Sequence, residues 1–235
     1  PTRRSSDLTF FVCGLYERIF VIKMNIVFAY PTGLNPQKGG VERITDIIAK
    51  ILLKRGYTIF YLNWKREQDN YEYPVPVIDL PSSNLEDPNN LEVYNRFLKE
   101  NRIDVIINKH GLYEGTYFLS QVKVQNVKII SVLHSDPFGY YNHLFADLMT
   151  LRDSSIKEKV KRVARFFLYR KVKKIIHRSL VNHYTFIQEH PQYVCLLSES
   201  YKERLEEYCD LPDNYFISIP NPNTYENIEI IPHKE

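Results

Sequence analysis

The sequence predicts an α/β chain, a doubly wound and mainly parallel sheet with helices on both faces. Three observations predict it. Short runs of continuous apolar residues, typical of strands buried on both faces, recur along the chain. Amphipathic stretches with three- and four-residue apolar spacing separate them. Proline and glycine mark the hand-overs. Strands alternating with helices form βαβ units, and right-handed crossovers wind such units into one parallel sheet.

The elements follow in order. "MNIVFAY", Met24 to Tyr30, reads as a buried strand ended by Pro31 and Gly33. Val41 to Arg55 reads as a helix, with Ile44, Ile47, Ile48, Ile51 and Leu52 on one stripe and Gly56 as its stop. "TIFYLN", 58–63, is the second strand. "VPVIDL", 75–80, is a short third strand that Pro76 assigns to a sheet edge. Pro88 suits the first turn of a helix running to about Asn101. "IDVIIN" and "VKIISVLH", 103–108 and 127–134, are buried strands with a helix near 114–123 between them. A helical region covers 140–182. "YVCLLS" (193–198), "ESYKERLEEY" (199–208) and "YFISIP" (215–220) close the chain as strand, helix and strand.

Composition narrows the class. A chain of 235 residues that is 44% hydrophobic can bury a real core in one domain or two small ones. Mean hydropathy is −0.35, and no apolar run is long enough to span a bilayer. A net charge of +3 does not point to nucleic acid. Cys13, Cys195 and Cys209 lack metal-ligand spacing and read as reduced thiols of a cytoplasmic protein. "PTRRSSDL", Pro1 to Leu8, resembles the translation of a sequencing-adapter read-through. The apolar "LTFFVCGLY" behind Arg3 and Arg4 has no small-residue cleavage site before Glu17 and Arg18, so a signal peptide is not favoured. Residues 1–23 are read as a foreign or unstructured extension, with Met24 as the natural start.

Ligands of doubly wound sheets bind beyond the carboxyl ends of the strands, where strand order reverses. The loop leaving the first strand there carries Lys38, Gly39 and Gly40. Glycines admit an anion close to the backbone, the following helix offers unsatisfied N–H groups, and Lys38 adds a charge. A plain turn with Lys38 in solvent explains the same residues equally well. Strand four runs into "NKHGLYEG", placing His110 and Gly111 at its end. Strand five runs into "SVLHSDPFGYY", placing His134, Ser135 and Asp136 at its own. With strands one, four and five side by side, both histidines face the glycine loop across one crevice. Phe138, Tyr140 and Tyr141 are candidates to stack on a ligand ring, or to pack in the core beneath a loop. Neither G-x-x-x-x-G-K-[ST] nor G-x-G-x-x-G occurs, and no acid tips the second strand to hold a ribose. That disfavours a P-loop protein and a dinucleotide enzyme, including a nucleotide-sugar epimerase. The histidines and cysteines show no metal-binding pattern, so no metal site is expected.

"KGGVER", "SVLHSDP", "CLLSESYKERL" and "ISIPNPN", in this order, resemble retaining glycosyltransferases of family 4, of GT-B architecture. The resemblance covers about Met24 to Tyr225 and matches the family's N-terminal, acceptor-side Rossmann-like domain. It implies sugar transfer with retention, without a metal or resident cofactor, from a nucleotide-diphosphate sugar to a glycan or lipid-linked acceptor. His134 matches the active-site histidine that contacts the transferred sugar. Gly39 and Gly40 match the glycine loop beside the donor diphosphate, and Glu42 and Arg43 complete its form. Lys38, His110, Asp136 and Tyr140 join them as candidate substrate contacts. "IPNPN" stands where the family more often has I-P-N-G-V-D and marks a hinge, so residues 24–222 are read as the domain and 223–235 as the start of a linker. The family's donor-binding half, with its E-x(7)-E pair, would lie beyond Glu235. Glu199 and Glu207 have that spacing on the wrong helix and read as solvated charge. A truncated reading frame, inactive alone, is expected. A non-catalytic sugar- or nucleotide-binding module is the alternative.

Lys157 to Arg178, "KEKVKRVARFFLYRKVKKIIHR", is the most biased stretch. Its apolar stripe and basic face read first as a surface helix packed on the sheet. The second reading is peripheral attachment of a cytoplasmic protein to anionic lipid at the inner face of the plasma membrane.

Overall fold

The computed structural model describes residues 23–65, 70–111, 114–149, 155–190, 192–207 and 216–221. The expected extension, apart from Lys23, and the expected linker of 223–235 lie outside them. The elements are β1 (Asn25–Tyr30), α1 (Gly40–Lys54), β2 (Thr58–Asn63), β3 (Val77–Asp79), α2 (Pro88–Glu100), β4 (Val105–Asn108) and α3 (Glu114–Leu119). Then come β5 (Lys128–Leu133), α4 (Gly139–Met149), α5 (Ile156–Phe167), α6 (Tyr169–Glu189), β6 (Gln192–Leu196), α7 (Glu199–Glu206) and β7 (Phe216–Ser218).

Seven strands form one sheet in the order β3-β2-β1-β4-β5-β6-β7, and every neighbouring pair is parallel. This is the doubly wound, Rossmann-like arrangement that the alternating pattern predicts. Order reverses between β1 and β4, so β1, β4 and β5 do lie side by side. β3 is an edge strand, as Pro76 requires.

Alternate strand residues feed opposite faces. Val27, Ala29, Leu62 and Ile106 face a core completed by Tyr94, Phe97 and Leu98 of α2 and Phe118 and Leu119 of α3. Ile26, Phe28, Ile59 and Val105 face the other way, under Ile48, Ala49 and Leu52 of α1. A third cluster joins Leu133, Val194 and Leu196 to Tyr184 and Ile187 of α6 and Leu205 of α7.

The helix ends follow local chemistry. α1 stops because Gly56 turns left-handed at φ 86°, a conformation that favours glycine, and returns its N–H to Leu53 O. α2 starts with Pro88 behind Asp87, whose carboxylate accepts from Asn89 N at 2.9 Å. α3 is shorter than the predicted 114–123. Asn95 of α2 bonds the backbone of Gln121 and Lys123, which draws the chain out of the helix.

Two expectations are corrected. The helical region of 140–182 is three helices and continues to Glu189. The basic stretch breaks at Leu168, which sits at φ −94°, ψ 5° between α5 and α6 with helical hydrogen bonds on either side. Nor does the apolar stripe of α5 pack on the sheet. Ile156 and Phe167 are about four-fifths exposed, and Val160 and Val163 more than half.

Candidate functional site

A cleft of about 300 Å³ opens at the carboxyl ends of β1, β4 and β5. Tyr30 comes from β1 and Val41 from the first turn of α1. Lys109, His110 and Gly111 follow β4. Val132, His134 and Ser135 come from β5 and the turn after it. Val41 of α1 and both strand-end histidines therefore border one cavity, because a parallel sheet delivers all its strand ends to one edge, while the expected contacts Gly39, Gly40 and Glu42 are outside its lining.

Gly39 is the N-cap of α1, in extended backbone at φ −168°, ψ 178°, without a side-chain cap. A Cβ there would lie 2.5 Å from Oε2 of Glu42. Glu42 is buried and folds back on the helix start, so close packing within the turn accounts for this glycine. A Cβ on Gly40 would meet open space, leaving this first residue of α1 approachable. Lys38 and Arg43 are exposed and stand outside the cleft lining.

His134 is largely buried, and its Nε2 has no hydrogen-bond partner among the described residues. Burial, then the charges of Lys109 and His110, lower its pKa to about 4. His110 packs edge-on against Tyr30, with ring centroids 6.0 Å apart. Burial, then Lys65, lowers its pKa to about 4 against the opposing pull of Glu114. Both imidazoles are therefore neutral at physiological pH and can exchange hydrogen bonds with hydroxyl groups.

Asp136 differs from the expected substrate contact. Oδ1 accepts from Phe138 N at 3.0 Å, and Oδ2 pairs with Arg204 of α7. Both oxygens serve the turn into α4. Tyr140 belongs to α4, and its side chain lies outside the described residues. Phe138 is fully buried in the third core cluster, which is the packing alternative rather than a stacking platform. Glu199 and Glu207 lie at the two ends of α7.

Three residues that the sequence reading passed over shape the site. Lys109, one residue before His110, is 4% exposed. Burial lowers its pKa to about 8. Asn108 is fully buried and donates to Thr116 Oγ1 at 3.0 Å and Ser131 Oγ at 3.2 Å. It accepts from His110 N at 3.0 Å. Ser131 Oγ continues to Gln192 Oε1 at 3.1 Å, so one polar thread crosses β4, β5 and β6. His183 of α6 reaches Gly111 O through Nε2 at 2.9 Å and Tyr117 Oη through Nδ1 at 3.2 Å. That clamps the loop bearing Lys109 and His110. Alternation along β4 places Asn108 and Lys109 on opposite faces, but neither the missing carboxylate nor the remote partners can be read locally.

Among the described residues no group of three His, Cys, Asp or Glu could hold a metal ion, and no carboxylate lines the cleft. The lining combines neutral imidazoles, a buried amine and Val41 of the first turn of α1. Such a set suits an oxyanion beside a hydroxyl-bearing group.

Neither a protein-family model nor a curated protein matches the sequence. A solved structure of a Burkholderia cenocepacia J2315 protein, provisionally described as an epimerase, is similar over 74% of this chain at 12% identity and a TM-score of 0.39. This chain spans 54% of that protein.

Proposed function

We propose that this chain is the acceptor-side domain of a retaining glycosyltransferase, which moves a sugar from a nucleotide-diphosphate donor to a glycan or lipid-linked acceptor. The observation that carries the reading is the shared cleft of His134 and the first turn of α1. The departing diphosphate gains negative charge, and preorganised N–H dipoles at a helix start stabilise it. Neutral His134 is suited to hold a hydroxyl of the transferred sugar by hydrogen bonding. Retention needs the acceptor hydroxyl on the leaving-group face, a positioning task shared between this cleft and a facing donor-binding domain.

The test is a panel of nucleotide-diphosphate sugars offered to the complete protein, with release of nucleoside diphosphate as readout. His134→Ala is expected to lower kcat by about a hundredfold or more without moving the melting temperature. Wild-type turnover in that variant overturns the reading. The absence of a carboxylate from the described lining favours one competitor, a module that binds sugar or nucleotide without turnover. Saturable donor binding without product release selects it.

Attachment to an anionic membrane, and with it a place at the inner face of the plasma membrane, belongs to the same proposal. Ile156, Val160, Val163 and Phe167 expose one face of α5, and basic residues such as Lys157 and Lys161 flank it. No described helix is long and apolar enough to cross a membrane.

A further inference from the structure

Lys109 shares its burial between two cavities. One is the polar cleft, and the other is an apolar cavity of about 190 Å³ walled by Phe28, Ile44, Ile48 and Ile107. The ammonium is within electrostatic reach of His134, which lines the first, and of Cys195, which lines the second. The side chain makes no hydrogen bond and no ion pair among the described residues. Cys195 of β6 faces it, but burial pushes that thiol up, so it supplies no anion at neutral pH. His134 and the neighbouring His110 supply none either. The first turn of α1, which reaches the same cleft at Val41, adds N–H dipoles, and the buried Glu42 carboxylate folded back on that turn offsets part of their charge.

A buried ammonium among neutral or positive neighbours is costly, and proteins normally pair such a group. We infer that the missing counter-charge is the ligand: Lys109 holds a phosphoryl oxyanion of the substrate between its ammonium and the first turn of α1. A phosphoryl group has enough oxygens to meet both sets of donors at once, and the cleft volume admits a diphosphate. The inference needs the cleft but does not rest on sugar transfer.

The probe is inorganic pyrophosphate, titrated into the 235-residue chain at low salt and followed by calorimetry and by NMR of lysine labelled at Cε. The wild type is expected to bind saturably, with the Lys109 resonance moving on titration. Lys109→Met should weaken binding about tenfold or more. Lys109→Arg, which keeps the charge, should restore most of it. Lys109→Met removes a buried charge and is expected to melt no lower than the wild type. If that variant does not fold, the wild-type resonance still decides. A resonance unmoved by pyrophosphate, or equal binding by wild type and Lys109→Met, overturns the inference. Pyrophosphate binding that needs Lys109, in a complete protein that turns over no nucleotide sugar, leaves this inference standing and removes the transferase reading.

Discussion

Asn108→Ala is expected to cost about 3–5 kcal/mol of stability, because Asn108 ties three elements together without reaching solvent. The substitution removes the bonds to Thr116, Ser131 and His110 N. At about 1 kcal/mol each these account for about 3 kcal/mol. The part-buried His110 N–H then lacks an acceptor, which adds about 1 kcal/mol or more. Thr116 and Ser131 lose less, because their hydroxyls still donate to Gly111 O and Gln192 Oε1. Urea unfolding measures the cost. The chain's single tryptophan, Trp64, is 1% exposed and supplies the fluorescence signal. Ser131→Ala and the double variant complete a cycle, whose coupling should be about 0.5 kcal/mol or more. A loss below about 1 kcal/mol for Asn108→Ala, or strict additivity in the cycle, refutes the thread as a structural unit.

Acid should destabilise the fold before the carboxylates titrate. The unfolded chain protonates His110 and His134 below their ordinary 6.5, whereas the folded chain holds both neutral down to about 4. Unfolding then takes up protons, so stability falls as pH drops through that window and the histidine contribution levels off below it. Discounted for partial exposure, each imidazole should contribute about 1–2 kcal/mol. Urea midpoints that stay constant across this window contradict the assignment. Gly111→Ala places a Cβ 2.9 Å from Val132 O and 3.2 Å from Val132 N, both strand backbone that cannot step aside. Thermal unfolding should register a loss of about 1–3 kcal/mol, and a variant as stable as the wild type shows the loop to be misplaced. Phe167→Ser should reduce co-sedimentation with anionic vesicles, in which each nearby basic residue contributes about 1 kcal/mol. Equal pelleting with neutral and anionic lipid removes the membrane proposal.

Much of the fold was legible because burial is written as period. Met24–Tyr30 and Ile103–Asn108 are apolar without alternation, which in water means a strand covered on both faces, and the structure covers both. Gly56, Pro76 and Pro88 act through their own backbone torsions, so they mark a helix stop, a sheet edge and a helix start without help from distant residues. The break at Leu168 carries no such residue, and it was invisible for that reason.

With β1, β4 and β5 taken as neighbours, the sequence also brings His110, His134 and the start of α1 to one sheet edge, and the cleft there is lined by both histidines and Val41 but by none of Lys38, Gly39 and Gly40. What those side chains do there was not legible. Asp136 looked available at a strand end until Arg204, distant in sequence, took one of its oxygens. Lys109 looked like any lysine in a loop, although the fold buries it, and among the described residues no carboxylate pairs with it. Periodicity reports only how much of a residue is covered. The charge it meets is set by segments brought together from far along the chain, and that decision belongs to the tertiary structure.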